Sequence, residues 1–307
     1  MKKTLLALLL GATTIGIAQT DLDGIMMQKN NFCFGTVYES SQWDHYWQGT
    51  LLRTNENLGT VSTQKLGVMG NYGVSGKLNL LFSVPYIQTQ ASQGTLQGQA
   101  GIQDLNLTAK YMPFEKEMKN SVFSLYVLGD VGIPLTNYVA DYLPLSIGLH
   151  SKTATIRIMG DYQLGDFFAT ASGSYTKRSN ILIDRHAYYT TEMHYTNEVD
   201  LPDYIYFNFR GGYRTTRLIS EIVYDLGRTQ GKNFDISINN MPFPSNSMHS
   251  SKLGVNTKYY LKQVPGLSAI TGYNQVISGR NVGQAKTWYA GFFYIVDFNK
   301  KNTSNEK

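Results

Sequence analysis

The chain has 307 residues and a formal net charge of +5, two units of which come from Lys2 and Lys3, too little to recruit a nucleic acid. Its single cysteine, Cys33, excludes an internal disulfide. Only 16% of the residues are charged, while Tyr (22) and Gly (29) are abundant, a balance unlike that of a soluble domain and suited to surfaces that are half apolar and half wet.

The first residues read as a secretory signal peptide over 1–18. Lys2 and Lys3 precede an apolar run from Leu5 to Leu10, and Gly16-Ile17-Ala18 supplies a small-x-small cleavage site. The run is broken by Gly11, Thr13 and Thr14, well short of the roughly twenty apolar residues of an anchoring helix. Residues 19–30 are then expected to form a short periplasmic lead, too short to fold into a plug domain. Beyond it no stretch is apolar enough to cross a bilayer as a helix.

From 31 to 298 the apolar residues recur with period two, which predicts strands. Twelve are expected, at 31–40, 60–72, 77–87, 102–111, 121–133, 153–163, 167–177, 203–214, 217–227, 250–261, 267–277 and 286–298. Most are long enough to cross a bilayer at a tilt, which takes about 9–11 residues. The links after even strands are short, as at Gly73–Gly76, Met112–Asn120, Leu164–Asp166, Thr215–Thr216 and Lys262–Gly266. Those after odd strands are mostly long, as at Ser41–Gly59, Pro134–Lys152, Arg178–Pro202 and Arg228–His249. This sorting of loops, with an even strand count, predicts an all-β protein: a closed antiparallel transmembrane β-barrel without a plug domain, in a bacterial outer membrane. Its long loops are expected outside the cell and both termini in the periplasm.

The two faces of the strands differ. One carries Lys65, Asp104, Lys110, Asp130, Arg157, Asp161, Arg210, Glu221, Asp225 and Lys258. A basic side chain facing lipid near the midplane costs about 2–4 kcal/mol, so this face must line the lumen, where it marks a candidate solute path. The opposite face carries Tyr72, Tyr111, Tyr162, Tyr213 and Tyr259, each just before a short turn, which predicts the periplasmic aromatic girdle. Trp43, Tyr46 and Trp47 in the first loop are candidates for the upper belt. In the last strand Trp288, Ala290, Phe292, Tyr294, Val296 and Phe298 share one face. That row resembles the closing-strand signal read by the barrel-assembly machinery, and a polar periplasmic tail, 299–307, follows it.

Two stretches, NYGVSGKLNLLFSVPY (71–86) and AGIQDLNLTAKY (100–111), resemble the outer-membrane family named for the meta-pathway of phenol degradation, although Gln103 replaces its usual glycine. The resemblance covers the second to fourth strands. It implies a transport-type barrel for apolar or aromatic small molecules and carries over no site residue.

Enzymatic chemistry is poorly supported. His249-Ser250-Ser251 has the His-x-Ser spacing of twelve-stranded outer-membrane phospholipases but lacks their following Asn-Gly. Asp184, His186, Glu192 and His194 lack the fixed spacing of a metal site, and no cofactor is expected. The loop 134–149 is unusually apolar, with Leu135, Tyr138, Tyr142, Leu143 and Leu145. Apolar surface of this kind needs cover. The loop either folds inward as a hydrophobic docking surface at the mouth or lengthens the flanking strands. The reading favoured is passive or facilitated uptake of small apolar or aromatic solutes, with lipid, the assembly machinery and the solute as partners. The alternative is a non-transporting structural or surface-binding barrel.

Overall fold

The computed structural model describes residues 20–231, 234–236 and 241–299. The expected signal peptide, and the tail beyond Asn299, lie outside the described residues. Twelve strands form one antiparallel sheet: β1 (Asn31–Trp43), β2 (Val61–Ser75), β3 (Leu78–Ala91), β4 (Asp104–Met118), β5 (Ser121–Pro134), β6 (Thr153–Leu164), β7 (Phe167–Arg178), β8 (Asp203–Arg214), β9 (Leu218–Gln230), β10 (His249–Tyr260), β11 (Leu267–Arg280) and β12 (Lys286–Asp297). Each strand pairs with the next, and β1 pairs with both β2 and β12, so the sheet closes into a barrel without edges. A short piece, Ala100–Ile102, continues the line of β4 along β3.

Period-two patterning decides which way each side chain points. In β6, Ile156 and Ile158 are more than half exposed while Met159 and Asp161 are buried; in β12, Trp288, Phe292 and Tyr294 stand out while Phe293 and Ile295 are buried. The exposed apolar residues follow the same alternation around the barrel, giving an outer surface suited to hydrocarbon. One end is closed by short turns; Gly165, at φ +57°, opens the turn between β6 and β7 in the left-handed region that tight hairpins need.

Two expectations need correction. The link 112–120 is not a turn: β4 and β5 run on as a hairpin to Met118 and Ser121, after a bulge between Tyr111 and Phe114. Pro113, which has no N–H to give the ladder, sits in that bulge. Beyond it Phe114 packs on Phe123, 6.3 Å between ring centroids, and the pairing resumes. Residues 20–30, expected to stand outside the barrel, lie within it. The segment turns into β1 at Asn30, whose amide donates to the Gly73 carbonyl (2.8 Å), and runs from there up the interior.

Candidate functional site

The inner face is built from alternate residues of all twelve strands, and the ten charged residues assigned to it point inward. Few of them face open water. Arg210 donates to Glu221 (2.9 Å) and Arg214, missed from the sequence, forks onto Asp161 at 2.9 and 3.1 Å. Asp225 accepts from Tyr206 and from Asn208 at 2.7 Å, and Asp130 accepts from Thr108 at 2.8 Å. Lys65 stands 3.6 Å from Glu39, and the Lys258 ammonium lies 4.9 Å from the centre of the Phe293 ring. Arg210 and Glu221 are not directly opposite, as a turn at Thr215-Thr216 alone would require. Arg210 faces Val223 and Glu221 faces Gly212, because the turn closes between Thr215 and Leu218 and moves the register by two residues. A shift of two keeps every side chain on its face, so the ion pair survives on the diagonal.

The inserted segment takes up the remaining charge. The Lys110 ammonium, fully buried, donates to the carbonyls of Thr20 (3.2 Å), Asp23 (2.6 Å) and Ile25 (2.9 Å) and pairs with the Asp23 carboxylate at 3.2 Å. Arg157 pairs with Asp21 at 2.7 Å, and the Tyr126 hydroxyl donates to the Gly24 carbonyl at 2.9 Å. Two apolar sockets complete the seat. Met27 is buried among Cys33, Phe168, Ile219, Tyr260, Phe293 and Ile295, and Met26 packs on Met112, Tyr126, Leu128 and Met159. Two cavities border the segment. The first, about 370 Å³, is lined in part by Ser83, Asn106, Thr108, Asp130, Arg157 and Tyr206. The second, about 280 Å³, is lined in part by Asp23, Lys65, Arg210, Glu221 and Lys258.

At the long-loop end the apolar loop folds inward, one of the two alternatives left open by its composition. Tyr138 and Ile147 are buried on Ile87 of β3, the Tyr138 hydroxyl donates to Asp104 at 2.7 Å, and the Leu145 carbonyl accepts from Thr89 at 2.5 Å. Leu145 is fully buried with Leu58 and Val61, whereas Leu135 (48% exposed) and Tyr142 (44%) point outward. Leu143 and Pro144 line an apolar recess of about 210 Å³ with Trp43, Tyr46, Met241 and Met248. The first-loop aromatics therefore do not form a belt: Trp43 and Tyr46 face this recess and Trp47 is 7% exposed.

Outside the barrel, Tyr72, Tyr111, Tyr162, Tyr213 and Tyr259 are 36–48% exposed on the outer face. The Tyr213 hydroxyl donates to Asp166 in the β6–β7 turn at 3.1 Å, which places it at the short-turn rim. His194 stacks on Tyr188 (4.8 Å) and bonds Thr190; no group of three metal-ligating residues forms with Asp184, His186 and Glu192 or elsewhere among the described residues. His249 has its ring nitrogen 3.5 Å from Ser247, and no hydrogen bond joins it to Ser251 among the described residues.

The sequence held a signal for the inserted segment that loop lengths did not convey. Phe168, Ile219, Tyr260, Phe293 and Ile295 alternate onto the inner face at the short-turn end, where only an apolar chain such as Ile25-Met26-Met27 relieves their contact with water.

No family model matches the chain, and no curated protein matches it. Solved structures do. An outer-membrane channel from Pseudomonas putida F1 overlays with a TM-score of 0.71 at 14% identity, covering 91% of this chain and all of that one. The translocator domain of the autotransporter NalP from Neisseria meningitidis gives 0.44 at 9% identity over 86% and 87% of the two chains. A KdgM porin gives 0.42 at 10% identity over 85% and 98%. The overlay on the Pseudomonas putida channel shows the fold of an outer-membrane β-barrel, here a closed twelve-stranded one.

Proposed function

We infer that the protein is an outer-membrane channel for small apolar or aromatic solutes whose path is occupied, at rest, by its own N-terminal segment. The single observation that carries this reading is the interior itself. Instead of a continuous packed core it has two cavities bordered by a segment that belongs to no strand. A barrel built only as a scaffold gains nothing from a segment seated on charges that it alone neutralises. The ten inward charges assigned from the sequence are five basic and five acidic, and the further pair members Arg214 and Glu39 add one of each sign, so they give little net field to select one sign of ion. Selection then falls to size and apolar contact, which the recess beside Leu143 offers at the mouth. The resemblance over 71–111 points to the same solute class. In this reading the outer face meets lipid, the five tyrosines stand at the periplasmic interface, the long loops are extracellular, and the β12 aromatic row is what the assembly machinery reads.

The second reading, a barrel that transports nothing, draws on the same segment, because its ion pairs to Lys110 and Arg157 anchor it within the interior. Liposome uptake of a neutral aromatic dye separates the two. The intact protein is expected to admit the dye faster than protein-free liposomes do, and to admit a sulfonated analogue less well. Uptake no greater than that of empty liposomes discards the transport reading.

A further inference from the structure

We propose that the outer face of the β9–β11 sheet, at its long-loop rim, binds the phosphate of an anionic membrane lipid through Arg228, His249 and Arg280. This rests on the membrane placement proposed above and adds a ligand site outside the lumen. The three residues form one rung: Arg228 is the register partner of His249, and His249 that of Arg280. All three line a recess of about 420 Å³, whose other polar groups include the hydroxyls of Thr50, Ser251 and Ser278. Its floor is apolar. Leu226 lies two residues below Arg228 on the same face of β9, is the register partner of Phe207, and both line the recess. Two residues along a strand span about 7 Å, so the basic rung stands one step above side chains suited to acyl chains.

That height fits the charge. An outward arginine at the bilayer midplane costs about 2–4 kcal/mol but roughly 0–1 kcal/mol at the interface, where lipid phosphates lie. Of the other outward cations at this rim, Lys177 on β7 is held by Asp203 at 3.0 Å. Arg228 has no carboxylate within ion-pair distance among the described residues and is exposed. Arg280 is forked onto Asp235 at 2.6 and 2.7 Å, which fixes the plane of its guanidinium and leaves one of its terminal nitrogens outside that fork. A recess with cations and hydroxyls above and apolar side chains beneath fits a molecule with an anionic head and a greasy tail. Inorganic phosphate satisfies only its upper half.

The test uses the full chain, purified in a neutral detergent and offered bisphosphorylated lipid A, diacylglycerol or inorganic phosphate, with retained lipid read by native mass spectrometry. Lipid A is expected to be retained and diacylglycerol not. Arg228→Gln, a change at an exposed unpaired position, is expected to lower lipid A retention about tenfold, from the loss of a charge-assisted contact. Arg228→Lys should restore most of it. Equal retention by Arg228→Gln, or equal retention of diacylglycerol, overturns the site. Phosphate competing as well as lipid A overturns the lipid assignment. Flotation of the same protein with liposomes keeps the two readings apart: a protein that floats but shows no phosphate preference refutes only this site, and one that does not float refutes the membrane placement.

Discussion

Replacing Lys110 by Met should unseat the inserted segment while leaving the barrel standing. All four acceptors of the Lys110 ammonium lie in the segment, at Thr20, Asp23 and Ile25, and its side chain is fully buried. Met keeps most of the aliphatic stem, so the β4 packing beside Tyr126 is little changed. Losing one partner of a buried, hydrogen-bonded pair costs about 3–5 kcal/mol. Asp23 is 14% exposed and regains some water, so about 3 kcal/mol is the fitting figure. This amounts to about a hundredfold in the ratio of seated to released segment. The assay is built into the chain: Cys33 is its single cysteine, 1% exposed, in the socket that holds Met27. With reclosing fast relative to chemistry, labelling by a water-soluble methanethiosulfonate reports the released fraction. Lys110→Met should raise the labelling rate of the folded protein about a hundredfold. An unchanged rate in a folded Lys110→Met barrel refutes the view that Lys110 holds the segment.

Other consequences follow from the same geometry. Phe209→Arg, on the outer face, should impair insertion into liposomes by about 2–4 kcal/mol, whereas Ser83→Arg, facing the larger inner cavity, should be tolerated, as read from equilibrium unfolding in guanidinium. Asp161→Ala strands Arg214, which is 10% exposed in its pair, and should cost about 3–5 kcal/mol in the same measurement. Asp235 in the β9–β10 loop has its carboxyl held below the usual carboxylate range, first by the hydrogen bonds from Arg280 and then by that from Asn281. A depressed acid contributes stability above its unfolded value, near 3.9, and loses it as pH falls through the lower folded value. Amide exchange at Ile236, whose N–H donates to Asn281, should therefore stay slow at neutral pH and quicken, relative to intrinsic rates, only below about pH 4.

Barrel architecture was legible because it repeats. Period-two alternation and the sorting of loop lengths are expressed a dozen times, so an error at one turn, as at Thr215–Leu218, shifted a register without turning a face. The inserted segment was not legible from length, because a plug needs no fold of its own when the wall supplies its partners. Eleven residues suffice where Lys110, Arg157 and Tyr126 meet its carbonyls and carboxylates. The mouth was half legible: composition marked the loop 134–149 as apolar but did not say that Met241 and Met248, distant in sequence, share its recess. The row Arg228, His249 and Arg280 needed the strand register, since nothing in their spacing along the chain joins them.

The account turns on whether the N-terminal segment is what fills the path. Planar-bilayer conductance of the intact chain, set beside that of the same chain lacking residues 20–27, measures this directly. The intact protein should show low conductance with rare openings, and the shortened one a stable open step of larger amplitude, as its two cavities merge. Identical low conductance from both, with the shortened barrel folded, would contradict a channel occupied by its own 20–30 segment.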